Sequence, residues 1–155
     1  MDFSQQYGSQ DSSESLAYDL RQKYALIVGM HLEEVAIARK ERNFSKYFDA
    51  LDDLYTITSH KFKPPKKRPL KLKDKDILNS NLKWSIKVKF ITYTELKDKF
   101  IKLTNDYRGA YLGHSNNPEH LHIILEALKE LERFIYYKMD EAGMFGSKRD
   151  IESLI

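Results

Sequence analysis

Three prolines, Pro64, Pro65 and Pro69, stand within the fifteen residues from Lys61 to Lys75. Proline lacks the backbone donor of a helix and restricts the residue before it, so no helix runs through this stretch. Eight of the fifteen residues are Lys or Arg, which predicts an extended, solvated connector. The chain is thereby divided into two blocks, and each carries apolar residues at helical spacing.

In the first block Leu16, Leu20, Tyr24, Ile27, His31, Val35 and Ala38 recur at steps of three and four, one face of a long helix. Asp11-Ser12-Ser13-Glu14 has the form of a capping box that starts it. Residues 1–10, polar with two aromatics, read as a flexible arm. Around Tyr24–Leu32 the apolar character covers the whole circumference, which predicts neighbours on more than one side, with Gly29 admitting one closely. Asn43 reads as the cap of a second helix bearing Phe44, Tyr47, Phe48, Leu51, Leu54 and Tyr55.

The second block opens on an ambiguity. Leu82, Trp84, Ile86, Val88 and Phe90 alternate with Lys83, Ser85, Lys87 and Lys89, as in a half-buried strand. Leu82, Ile86, Phe90, Tyr93, Leu96, Phe100, Leu103 and Tyr107 also form a continuous helical stripe. A lone strand leaves its backbone groups unpaired, and only 70–73 or 55–62 offer a partner, which favours helix. Thr92-Tyr93-Thr94-Glu95 has capping-box form, so a helix through Tyr111 begins or kinks there. Asn117-Pro118-Glu119 is a helix start: a capping side chain, proline at the first position and an acid on the positive end of the dipole. Leu121, Ile124, Leu125, Leu128, Leu131, Ile135 and Met139 form the stripe of that last long helix, Gly143 supplies its stop, and Ser147–Asp150 caps a terminal turn. The expected fold is mainly α: an antiparallel four-helix, bundle-like core of two hairpins joined by the basic loop, in one domain over residues 11–155. The alternative is α+β with a strand at 82–91.

No reactive constellation accompanies these helices. With no cysteine there is no disulfide, thiolate metal site or Cys nucleophile, and neither Gly-x-Ser-x-Gly nor a Gly-rich phosphate loop occurs. Glu119-x-x-His122 has the spacing of a carboxylate-bridged metal pair, but such a site needs the motif twice, and His31-x-x-Glu34 is its only companion. Glu119 reads instead as a helix-start acid and His31 as a hydrogen-bonded core histidine. Adjacent acids such as Asp52-Asp53 and Asp140-Glu141 read as solvated faces. The expectation is a non-enzymatic protein with no catalytic residue, metal or cofactor.

Charge is unevenly spread. Residues 1–60 hold six Lys/Arg against ten Asp/Glu, residues 61–112 fifteen against five, and residues 113–155 five against eight. Such a field attracts a polyanion or the acidic part of another copy. The candidate polyanion-binding residues are Lys61, Lys63, Lys66, Lys67, Arg68, Lys71, Lys73, Lys75, Lys83 and Lys87, with Phe62 and Trp84 interleaved for stacking. Lys greatly outnumbers Arg among them, which suits non-specific phosphate contact rather than base-edge readout. Phe134, Tyr136 and Tyr137, consecutive with Ile135 around one helix, exceed what a small bundle buries on one side; with Phe145, Trp84 and Val88 they form the candidate partner interface.

Two segments, Tyr47-Phe48-Asp49-Ala50-Leu51-Asp52-Asp53-Leu54-Tyr55 and Leu131 to Met144, together resemble small helical proteins encoded by phages and related mobile elements, which pair an early aromatic helix with a long helix ending near an Ala-Gly-Leu/Met step. Those proteins share no assigned activity, and the basic stretch at 61–75 is not part of their pattern. The resemblance implies a virion or assembly role and transfers no catalytic residue. Met1–Gln10 lacks an apolar signal core, and the longest apolar run, Tyr24–Leu32, is too short to span a bilayer. The combined expectation is a soluble, intracellular or virion-associated interaction protein that forms homo-oligomers or docks into a larger assembly without membrane insertion. A nucleic-acid-binding module using the basic middle is the alternative.

Overall fold

The computed structural model describes residues 8–68, 73–146 and 150–155, apart from the side chains of 8–12, 74 and 75. The chain is mainly α, and no strand occurs among the described residues. Helix α1 spans Gly8–Glu41. It is already running at Gly8, so Asp11 lies inside it rather than capping it, and residues 8–10 of the expected arm are helical. Its C-terminus closes in a Schellman motif: the Arg42 N–H bonds Arg39 O at 3.2 Å and the Asn43 N–H bonds Ala38 O at 3.1 Å. Arg42 takes the left-handed position of that motif, φ 54°. Asn43 then caps α2, Phe44–Thr58, its side chain accepting from the Lys46 N–H at 3.3 Å as its identity predicts. This tight turn folds α2 back onto α1, and Phe44, Tyr47, Ala50, Leu51, Leu54 and Thr58 make its buried face.

After a 3₁₀ turn at Ser59–Lys61 the basic connector runs without regular structure through Arg68. It is extended as the prolines demand, but it is pinned rather than free. The Lys66 N–H donates to Lys89 O at 2.7 Å, Arg68 Nε to Phe90 O at 3.1 Å, and Lys138 Nζ to Lys63 O at 2.6 Å. The short helix α3 follows at Asp74–Leu78, and α4 occupies Trp84–Lys87.

Residues 82–91 are thus neither a strand nor the start of one long helix. Val88, Lys89 and Phe90 donate to Trp84 O, Ile86 O and Lys87 O at 3.0–3.1 Å, so the segment satisfies its backbone in local turns. Thr92 then starts α5, Tyr93–Asp106, through a complete capping box with Glu95. The helix expected to reach Tyr111 breaks at Tyr107 (φ −121°, ψ 43°) and resumes as α6, Arg108–Tyr111. Helix α7, Pro118–Glu141, begins at Asn117, whose side chain accepts from the N–H groups of Glu119 and His120. Gly143, at φ 74°, ends it: the Gly143 and Met144 N–H groups bond Asp140 O and Met139 O, each at 2.9 Å. Helix α8 is Ile151–Leu154, following Asp150; the expected cap residues 147–149 lie outside the described residues.

α7 packs against both α2 and α5, while α1 packs chiefly on α2, with Arg39 reaching α7 and α8. The core lies between them, with Val35 and Ala38 from α1, Leu51 and Leu54 from α2, Phe100 from α5, and Leu128, Leu131 and Ile135 from α7. Aromatic rings fill the α2–α5 seam: Phe48 stacks on Phe100 at 4.9 Å and Tyr55 on Tyr93 at 3.8 Å between centroids. Among the described residues no helix is long and apolar enough to cross a membrane.

Candidate interaction surface

The basic residues singled out by sequence do not form one face. Lys63, Lys66, Lys67, Lys73 and Lys83 are exposed. Lys61, also exposed, lies 4.7 Å from the centre of the Tyr24 ring. Arg68 is half-buried against Phe90 O and Glu95. Lys87 is withdrawn altogether: only 7% exposed, it donates to Leu78 O at 2.7 Å and rides over the Trp84 ring. The α4 turn causes this, because it aims Lys87 inward where an alternating strand would aim it out. Lys71 and the Lys75 side chain lie outside the described residues. Phe62 and Trp84, expected as stacking platforms, are half-buried against the core.

The expected partner interface is likewise mostly interior. Val88, Phe134 and Tyr136 are buried, and Trp84, Tyr137 and Phe145 are half-buried. Because α7 has α2, α5 and the C-terminal segment around it, more of its circumference is covered than a peripheral helix permits. Phe145 folds back onto Tyr136, edge to face at 6.2 Å.

Sequence reasoning missed the polar centre of the core. Glu132 is fully buried and accepts hydrogen bonds from the Tyr47 hydroxyl and from Arg39 Nη1. Arg39 Nη2 also donates to Leu154 O at 2.7 Å. Burial raises the Glu132 carboxyl, an effect opposed by Tyr47 and Arg39, and burial together with Glu132 pushes the Tyr47 and Tyr136 hydroxyls far up. One carboxylate thereby ties α1, α2, α7 and α8 together. The available signal was register: Leu128, Glu132, Ile135 and Met139 lie on one α7 face, so Glu132 shares the core stripe. A second pair links buried Lys138, its side chain 4% exposed, to half-buried Glu141 at 3.1 Å. Burial pushes the Glu141 carboxyl up, but Lys138 and Lys89 outweigh it and hold it below the ordinary value.

His31 is not the satisfied core histidine expected. Its buried Nδ1 has no hydrogen-bond partner and lies 3.7 Å from Glu34 Oε2. Among the described residues no group of three or more His, Asp or Glu side chains is placed to hold a metal ion.

The most unusual surface is on α1. Of eleven large hydrophobic side chains exposed among the described residues, seven belong to this helix: Leu16, Tyr18, Leu20, Leu26, Ile27, Met30 and Ile37. From Ser13 to Lys23 every residue but Ala17 is exposed. The circumference expected to be covered on several sides is covered on one, where Val28, Val35 and Ala38 are buried. Gly29, expected to admit a close neighbour, has no atom within 4 Å of where a Cβ would stand. It borders an open cavity of about 410 Å³ between α1 and Met144–Phe145, also lined by Tyr24, Val28 and Leu32. A helix of this exposure gains little stability from its own backbone, and contiguous exposed apolar surface marks a contact site.

Comparison with protein-family models, with curated sequences and with solved structures finds no match to this chain.

Proposed function

We propose that this is a non-enzymatic helical interaction protein, which self-associates or docks into a larger complex through the exposed face of α1. The concentration of exposed apolar side chains on that single helix carries the reading. The resemblance of residues 47–55 and 131–144 to phage-encoded helical proteins supports a viral structural or accessory role. The polyanion-binding alternative draws less support, since Lys87 is buried and Phe62 and Trp84 are packed inward.

Size-exclusion chromatography with light scattering, at tens of micromolar chain, tests the self-associating form. The wild-type mass is expected above the 18.3 kDa of one chain, and a Leu20→Glu/Ile27→Glu variant is expected to return it to that value. Both positions are exposed, so the variant retains its core. An elevated mass that the variant leaves unchanged counts against the α1 face as the working surface.

A further inference from the structure

The exposed face of α1 is itself patterned. Leu16, Leu20, Lys23, Ile27, Met30, Glu34 and Ile37 follow one another at alternating steps of four and three, the repeat of a coiled-coil seam. Five of the seven are apolar, all five are exposed, and Leu26 flanks them. Lys23 is exposed as well, and the Glu34 side chain is 55% exposed. The two charged positions decide what fits. In a parallel pair of α1 helices Lys23 meets Lys23 and Glu34 meets Glu34, which is repulsive at both levels. In an antiparallel pair with a two-fold axis passing between Val28 and Gly29, Leu20 faces Ile37, Ile27 faces Met30, and Lys23 faces Glu34. Lys23 and Glu34 then find each other and four of the five apolar residues face an apolar one, while Leu16 alone meets a charge, Glu41, at the last residue of α1. Sliding this pair by one heptad in either direction sets an apolar residue against Glu34. On the flank, Asp19 approaches Lys40 of the other helix in the same register, and Leu26 lies beside Glu33.

We propose that the occupant of the α1 face is a second copy of this chain, paired antiparallel through α1 in the register that joins Lys23 to Glu34. This rests on the reading of α1 as the interaction surface and adds the partner and its orientation. An isologous contact of this kind closes on itself and yields a dimer rather than a filament.

The chain has no cysteine, so introduced thiols report on this contact alone. Lys23→Cys and Glu34→Cys variants are oxidised separately and as an equimolar mixture, at tens of micromolar, and read on non-reducing gels. The disulfide requires Cα atoms within about 7 Å. In the antiparallel pair like positions lie eleven residues apart, about 16 Å along the axis. The expected result is a covalent dimer from the mixture and little or none from either variant alone. A covalent dimer from each variant alone overturns the proposal in favour of parallel pairing. No disulfide in any sample, with a wild-type mass still above one chain and lowered by Leu20→Glu/Ile27→Glu, overturns this register while the α1 interface stands. No disulfide and a wild-type mass of one chain remove the dimer and the self-associating reading together.

Discussion

Glu132 shows how much of this fold depends on single side chains. A carboxylate with no exposure is stable only where donors surround it, and here Tyr47 of α2 and Arg39 of α1 supply them, with Arg39 held in turn by its hydrogen bond to the Leu154 carbonyl. Truncation leaves the Arg39 guanidinium, 18% exposed, without its counter-charge. Glu132→Ala is therefore expected to cost about 3–5 kcal/mol, the range for breaking a buried pair from one side. Replacing both partners, Arg39→Met with Glu132→Leu, is expected to cost less than Glu132→Ala, because no uncompensated charge stays behind. Urea denaturation of the single and double variants measures the difference, and a double variant much weaker than the single one would show that the network contributes more than charge compensation. His31 is the contrasting case, a buried ring nitrogen with no hydrogen-bond partner on the helix that carries the exposed face.

At the scale of elements the termini obey local chemistry. Arg42 is the exception in kind, an L-residue with φ 54° in the Schellman position that usually holds glycine. The left-handed conformation costs a non-glycine residue roughly 1–2 kcal/mol, part of which glycine returns as unfolded-state entropy. Arg42→Gly is accordingly expected to raise stability by about 0.5–1 kcal/mol, seen as a higher urea midpoint at unchanged slope; a lower midpoint would assign the Arg42 side chain a stabilising role that outweighs the strain. The caps at Asn43, Thr92 and Asn117 and the stop at Gly143 were legible in the sequence because each is settled within a few residues by side-chain donors, acceptors and permitted φ. The fate of 82–91 was not, because two periods overlap there and the outcome turned on which carbonyls lay within reach. The break at Tyr107 left no proline or glycine to announce it at that position. Val88, Phe134 and Tyr136 are buried where their spacing predicts a surface, for a related reason: periodicity counts apolar faces on a helix but does not say how many neighbours surround it. The same ambiguity ran the other way on α1, where Leu16, Leu20 and Ile27 share helical spacing with Tyr24, Val35 and Ala38 yet face solvent.

For the whole molecule the question is what the polarity of charge is for. The basic middle meets acids of the outer segments within the same chain: Lys97 with Asp52 at 3.1 Å, Lys99 with Glu130 at 3.2 Å, and Lys89 with Glu141 at 3.3 Å. Part of the attraction between middle and ends is therefore satisfied by folding, which leaves less of it to hold separate copies together. Association along α1 and association by long-range attraction between acidic ends and basic middle respond differently to salt. The Debye length falls from about 10 Å at 0.1 M to about 3 Å at 1 M, which screens the second almost entirely. Along α1 the apolar contacts are insensitive to that change, and the two symmetry-related Lys23–Glu34 pairs contribute only about 0.5 kcal/mol each at an exposed interface. Sedimentation equilibrium at 0.1 M and 1 M NaCl is expected to give dimer dissociation constants within about tenfold of each other, the range that loss of two such pairs allows. Dissociation by several orders of magnitude at 1 M would mean that the copies are held by the opposed charges of the outer and middle segments, with the apolar face of α1 left to some other contact.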